Sequence, residues 1–136
     1  MQIEPIEMTV PLWGLLALIV WCIFIVALLI AARFRHLNAG GSPLDFGDPT
    51  GKKLPWRIFR AQANCAENLP LYLGTVLLLE VRGVANSIID SLVVTYIGFR
   101  ILHSLIHIFG LNPNFRVACL GVQFACLIVL MIYGVM

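Results

Sequence analysis

Hydrophobic and polar positions divide the chain into long apolar stretches separated by short polar ones. Met8 to Ala32 carries no charged side chain over 25 residues. At about 1.5 Å per residue such a helix covers about 37 Å, enough to cross a hydrocarbon core of about 30 Å with some tilt. Glu4 and Glu7 precede it where a signal peptide carries lysines, and it exceeds the usual signal core of about 7–15 residues. It therefore reads as a retained first helix. His36 to Pro55, rich in Gly, Pro, Asp and Lys, reads as a loop. The stretch from Pro55 to Val81 differs, because only Leu69 to Leu79 is free of strongly polar side chains, too short a run to span a bilayer. To cross, this helix must carry Arg60, Gln62, Asn64 and Glu67 at or inside the membrane boundary. Ser87 to Phe109 and Phe115 to Met136 follow, joined by Gly110-Leu-Asn-Pro-Asn114, a tight turn with Asn114 as N-cap. The pattern predicts an all-α integral membrane protein, a four-transmembrane-helix bundle in one domain, with spans at 8–33, 56–81, 87–109 and 115–136.

Composition supports lipid as the solvent. Of 136 residues, 60% are hydrophobic and 12% charged, and mean hydropathy is +0.94. An ordinary soluble domain and a disordered chain are both excluded. A net charge of +2 is too small for nucleic acid to be a partner. Eight of the nine basic residues lie by the first and third loops or in the adjoining helix halves, and only Arg82 does not. The positive-inside rule places those loops in the cytoplasm and both termini opposite. The short chain suits a bacterial inner membrane, and an endoplasmic reticulum membrane fits as well. All four cysteines (Cys22, Cys65, Cys119, Cys126) fall within spans, with no CxxC pair and no Cys/His metal spacing. They read as buried small apolar side chains, with neither a disulfide nor a metal implied. Phosphate loops, nucleophile elbows and internal repeats are missing from the sequence.

The polar residues inside the spans are the informative ones, since a charge at the centre of a bilayer costs about 2.5–3.5 kcal/mol on the insertion scale. Arg57, Arg60, Asn64 and Glu67 form one stripe on the second helix, and Tyr96, Arg100, His103 and His107 form another on the third. Arg116 opens the fourth helix, with Gln123 two turns deeper on the same face. With alternating helices, Arg33, Arg60, Asn64, Glu67, His107 and Arg116 share a depth near one membrane face. Ion pairs such as Glu67 with Arg60 or Arg100, and arginines snorkelling to lipid phosphates, explain Arg33, Arg35, Lys52, Lys53 and Arg57. They explain Arg60, Asn64, Glu67, Arg100 and Arg116 less well, because the cations outnumber the one carboxylate. A polar, anionic ligand fits better. Arginines suit carboxylates, a lone glutamate suits an ammonium group, and Asn64 both donates and accepts. Glutathione matches that description, and another acidic peptide or a lipid headgroup matches it equally.

The string Arg60-Ala-Gln-Ala-Asn64-Cys-Ala-Glu67-Asn-Leu-Pro70 resembles the signature of the MAPEG family, the membrane-associated proteins in eicosanoid and glutathione metabolism. A second block, Arg100-Ile-Leu-His103-Ser, His107 and Asn-Pro-Asn-Phe-Arg116, is similar to the helix 3–4 corner of its microsomal glutathione transferases. The resemblance implies a homotrimer with glutathione as co-substrate, bound between subunits near the cytosolic face, and no metal. By position, Arg60, Gln62, Asn64 and Glu67 hold the tripeptide, joined by Arg33 and supported by Arg100 and His103. Arg116 falls where the family has the arginine that stabilises the glutathione thiolate. A hydrophobic electrophile or a lipid hydroperoxide would enter from membrane lipid.

The chain also departs from the family. His107 stands where members often carry Tyr, Asn68 where the leukotriene synthase has Tyr, and Val117 where the prostaglandin synthase has Ser. The loop lacks the cysteine that senses stress in one microsomal transferase. These changes favour a general transferase or peroxidase over the eicosanoid-specific activities. The expected function is a membrane-bound glutathione transferase with glutathione peroxidase activity on lipid hydroperoxides. A non-catalytic scaffold on the same fold is the first alternative, weakened by the presence of Arg116. A small proton-coupled transporter built on Glu67 is the second, weakened by the arginines that would repel a cationic substrate.

Overall fold

The computed structural model describes residues 7–44 and 52–136. Glu4 and the middle of the first loop lie outside the described residues. Four helices follow one another: α1 (Val10–Asn38), α2 (Leu54–Arg82), α3 (Ser87–Phe109) and α4 (Pro113–Val135). By length and composition α1, α3 and α4 are each apolar enough to cross a membrane. The polar first half of α2 keeps it below that standard, and α2 packs against all three other helices.

Local chemistry sets the helix limits. Thr9 caps α1 by accepting from the Leu12 amide at 3.4 Å. This helix runs to Asn38, five residues past its expected end, because nothing from Phe34 to Leu37 breaks a helix. The chain turns only at Gly40, whose φ of 85° is open to glycine. Gly83 and Gly110 close α2 and α3 in the same left-handed conformation. Asn86 caps α3, its side chain accepting from the Ile89 amide at 2.9 Å. The expected N-cap of α4, Asn114, is replaced by Asn112, which accepts from the Asn114 amide at 2.9 Å. Pro113 then takes the first helical position, where a missing N–H leaves no bond unmade.

Successive helices run antiparallel, with α2 and α3 central and α1 and α4 on opposite flanks, out of contact with each other among the described residues. At the centre the Tyr72 and Tyr96 rings stack at 4.9 Å and 7°. Around them pack Leu18 and Ile25 of α1, Val76 and Leu79 of α2, Val93 of α3 and Leu130 of α4. The Tyr72 hydroxyl donates to the Pro11 carbonyl at 3.1 Å across the bare face of Gly14. The Thr9 hydroxyl donates to the Glu80 carboxylate, tying the start of α1 to the end of α2. Large apolar side chains such as Ile23, Phe24, Leu77, Val94, Phe124 and Ile132 face outward, as expected of an integral membrane protein whose solvent is lipid.

The sequence expectation for the cysteines is overturned. Cys22 of α1 and Cys65 of α2 are joined in a disulfide, their Cα atoms 6.1 Å apart, while Cys119 and Cys126 are free and buried. Cysteine spacing along the chain carries no sign of this pair, because α1 and α2 bring the two residues together only by running antiparallel.

Two outcomes follow from this packing. Alkylation of the denatured protein is expected to label two cysteines without reductant and four after reduction, counted by mass spectrometry. In Gly14→Ala the added methyl would meet Val93 at 2.7 Å and crowd the Tyr72 hydroxyl. Overpacking of this kind costs about 1–3 kcal/mol, to be read as a lower melting temperature in detergent.

Candidate functional site

The antiparallel arrangement gathers the end of α1, the start of α2, the end of α3 and the start of α4 at one end of the bundle. Arg33, Arg35, Lys52, Lys53, Arg57, Arg60 and Arg116 are all carried there. Beneath them lies a polar network that starts from Arg100, which is 0% exposed. Its Nη1 donates to Gln123 Oε1 at 3.0 Å and its Nη2 to Asn64 Oδ1 at 3.3 Å. One guanidinium thus bonds α3 to both α4 and α2. Glu67, the carboxylate expected to pair with Arg60 or Arg100, is instead exposed, and two neutral amide oxygens take the guanidinium nitrogens. The Nε of Arg100 is buried with no partner among the described residues.

Gln123 connects the rest. Its Nε2 lies 3.0 Å from the Cys119 carbonyl, 3.2 Å from the Phe99 carbonyl and 3.3 Å from His103 Nδ1. His103 stacks on His107, one turn on, at 5.0 Å and 11°. Arg116 Nη1 lies 3.2 Å from His107 Nδ1. A continuous chain of contacts therefore runs from Asn64 through Arg100, Gln123, His103 and His107 to Arg116. On the α2 side, Asn68 donates its side-chain amide to the Asn64 carbonyl at 2.9 Å.

The candidate residues fall into two sets. The structure brings together Asn64, Arg100, His103, His107 and Arg116, of which Asn64 and Arg116 are half-buried and the other three buried. Among the described residues, none of the contacts in that chain is made by Arg33, Arg60, Gln62 or Glu67. Arg33, Arg60 and Glu67 are exposed on the outer surface of the bundle and Gln62 is half-buried. Arg33 lines a recess with Ala32, His36, Ser42, Pro43 and Pro55, between the end of α1 and the start of α2. Gln123 is the member of the network absent from the expected set. Its signal was there to find: an amide two turns inside an apolar helix, in register with Arg116, must find partners because lipid offers none.

Chemically, the site combines guanidinium groups held by neutral partners with the exposed carboxylate of Glu67. It is suited to an anion that also carries one positive group. The family model of the MAPEG family matches residues 11–136, nearly the whole chain. Comparison with curated proteins and with solved structures finds no match.

Gln123→Leu preserves volume but leaves the Arg100 guanidinium with an unmet donor in a water-free interior. A loss of about 2–3 kcal/mol is expected, measured as a drop in the melting temperature of the detergent-solubilised protein.

Proposed function

The chain belongs to the MAPEG family, and on that premise we propose that it is a membrane-bound glutathione transferase. It conjugates the glutathione thiolate to hydrophobic electrophiles and reduces lipid hydroperoxides with glutathione. The observation that carries this reading is the connected polar network from Asn64, fixed from behind by buried Arg100, to Arg116, with Arg60 and Glu67 exposed on the same helix as Asn64.

In this reading Arg33 and Arg60 take the carboxylates of the tripeptide, Glu67 takes its ammonium group, and Gln62 and Asn64 hydrogen-bond its amides. Arg100 and His103 support the site from the interior, and His107 completes it beside Arg116. Arg33, Arg60 and Glu67 are exposed in a single protomer, so a homotrimer with glutathione between neighbouring subunits would cover them. The excess of basic residues at this end supports a cytoplasm-facing site with the termini opposite.

Arg116 supplies the electrostatics. A unit cation about 4 Å from the sulfur, at an effective dielectric of about 20, contributes about 4 kcal/mol, or about three pKa units. An ordinary thiol with a pKa of about 8.5 then becomes mostly thiolate at neutral pH. The thiolate forms the new carbon–sulfur bond as the leaving group of the electrophile departs with its electron pair. With a hydroperoxide, the thiolate attacks the terminal oxygen and the O–O bond breaks. The alkoxide takes a proton and leaves as the alcohol. A second glutathione then displaces water from the oxidised sulfur, giving glutathione disulfide.

The test is an ultraviolet difference spectrum of glutathione added to wild type and to Arg116→Ala. A thiolate band in wild type, at least tenfold weaker in the variant, is expected. Binding of glutathione without a band and without turnover would favour the scaffold reading, and absence of glutathione binding at millimolar concentration would defeat the proposal.

A further inference from the structure

The contact between α3 and α4 at the head of the network has a direction that follows from donor chemistry alone. A guanidinium has only donors, so where Arg116 Nη1 meets His107 Nδ1 at 3.2 Å the imidazole nitrogen must offer a lone pair. The same logic fixes the orientation of the Gln123 amide. Arg100 Nη1 also has only protons to give, so the oxygen of the Gln123 amide faces it and the amide nitrogen faces His103 Nδ1. His107 thus accepts at Nδ1 and carries its proton on Nε2, while the two protons of the Gln123 amide are shared among the Cys119 and Phe99 carbonyls and His103 Nδ1. His107 is held in that orientation by its stack on His103, itself held by Gln123. It is 8% exposed, and its Nδ1 meets half-buried Arg116.

From this we infer that His107 is a positioning residue for Arg116: a neutral imidazole acceptor, fixed by the buried α3–α4 network, that sets where the guanidinium stands. The inference rests on the glutathione reading above and deepens it. His107 acts on the thiolate through Arg116 and not by touching the tripeptide. An arginine side chain has several rotatable bonds, and stabilisation of a sulfur anion falls with its distance from the cation. A hydrogen-bonded partner within the protein restricts that freedom before the ligand arrives, which is how preorganised charge acts in a site. A tyrosine in this place would itself carry a hydroxyl donor, whereas the imidazole Nδ1 here is an acceptor only.

Two variants separate acceptor from shape. His107→Phe keeps a stacked ring and removes the acceptor, and His107→Gln removes the ring and keeps an acceptor oxygen. With His107→Phe the glutathione thiolate band and kcat are expected to fall at least tenfold, while glutathione affinity by equilibrium dialysis changes less than threefold. His107→Gln is expected to retain a larger share of the band than His107→Phe. An unchanged band in His107→Phe would overturn the inference. A collapse of glutathione affinity in both variants would overturn it too, by making His107 a direct contact of the ligand.

Melting temperatures of wild type, His107→Phe, Arg116→Ala and the double variant test the contact without any glutathione. The double variant is expected to melt no lower than the weaker single variant. Fully additive losses would show that the two side chains do not interact, and would sink the positioning role even if glutathione binds. Non-additive melting with no glutathione binding in wild type would leave the contact standing and defeat the transferase reading instead.

Discussion

A guanidinium enclosed by apolar helices in lipid has no water to fall back on, so each of its donors must be met by the protein or left at a cost. Arg100 is enclosed in this way, and it meets part of the demand by bonding Asn64 on α2 and Gln123 on α4, while its Nε is left unpaired among the described residues. Much else at the basic end is a consequence. Gln123, with its oxygen committed to Arg100, turns its nitrogen to two carbonyls and His103, and His103 supports the ring that meets Arg116. Helix association in lipid gains little from the hydrophobic effect and depends on packing and such interhelical bonds. Three of the four helices are aligned by one buried cation and its amide partners.

The fourth helix is attached by different means. Among the described residues, the hydrogen bonds of the Arg100 network join α2, α3 and α4. α1 is fixed to α2 by the Cys22–Cys65 disulfide, by the Tyr72 hydroxyl on the Pro11 carbonyl and by Thr9 on Glu80. The bond between Thr9 and Glu80 lies at the far end of the bundle from Arg116. The protein is therefore fastened on both sides of the membrane, with a stacked tyrosine pair between. Rigidity suits a site whose proposed chemistry depends on where a cation stands relative to a sulfur atom, and α1 carries the recess where Arg33 stands.

The two stripes show what residue periodicity does and does not reveal. Tyr96, Arg100, His103 and His107 share one helix face, as their spacing requires, and all four are buried. The stripe that reads as a ligand surface is an interior one, because a period of 3.6 identifies which residues face together and not what they face. On α2 the stripe divides, Asn64 turning inward to Arg100 while Arg60 and Glu67 remain exposed. Asn112 displaced Asn114 as the cap of α4 for a local reason, since Pro113 is placed best at the first helical position. Neither the Cys22–Cys65 pairing nor the deeper part played by Gln123 follows from spacing within one helix.

The sequence alone determined that the chain is a bundle of four helices in a membrane and that its basic residues collect at one end. It also pointed to the MAPEG family, in agreement with the match over residues 11–136. These properties are read from local quantities: the length of apolar runs, the spacing of polar residues within a helix, and a motif contiguous in the chain. Only the tertiary structure decided that Arg100 bonds amides and not Glu67, that His107 accepts from Arg116, and that Cys22 meets Cys65. Each joins side chains on different helices, and a shift of one residue in how two helices pack would exchange one partner for another without altering the pattern of either helix.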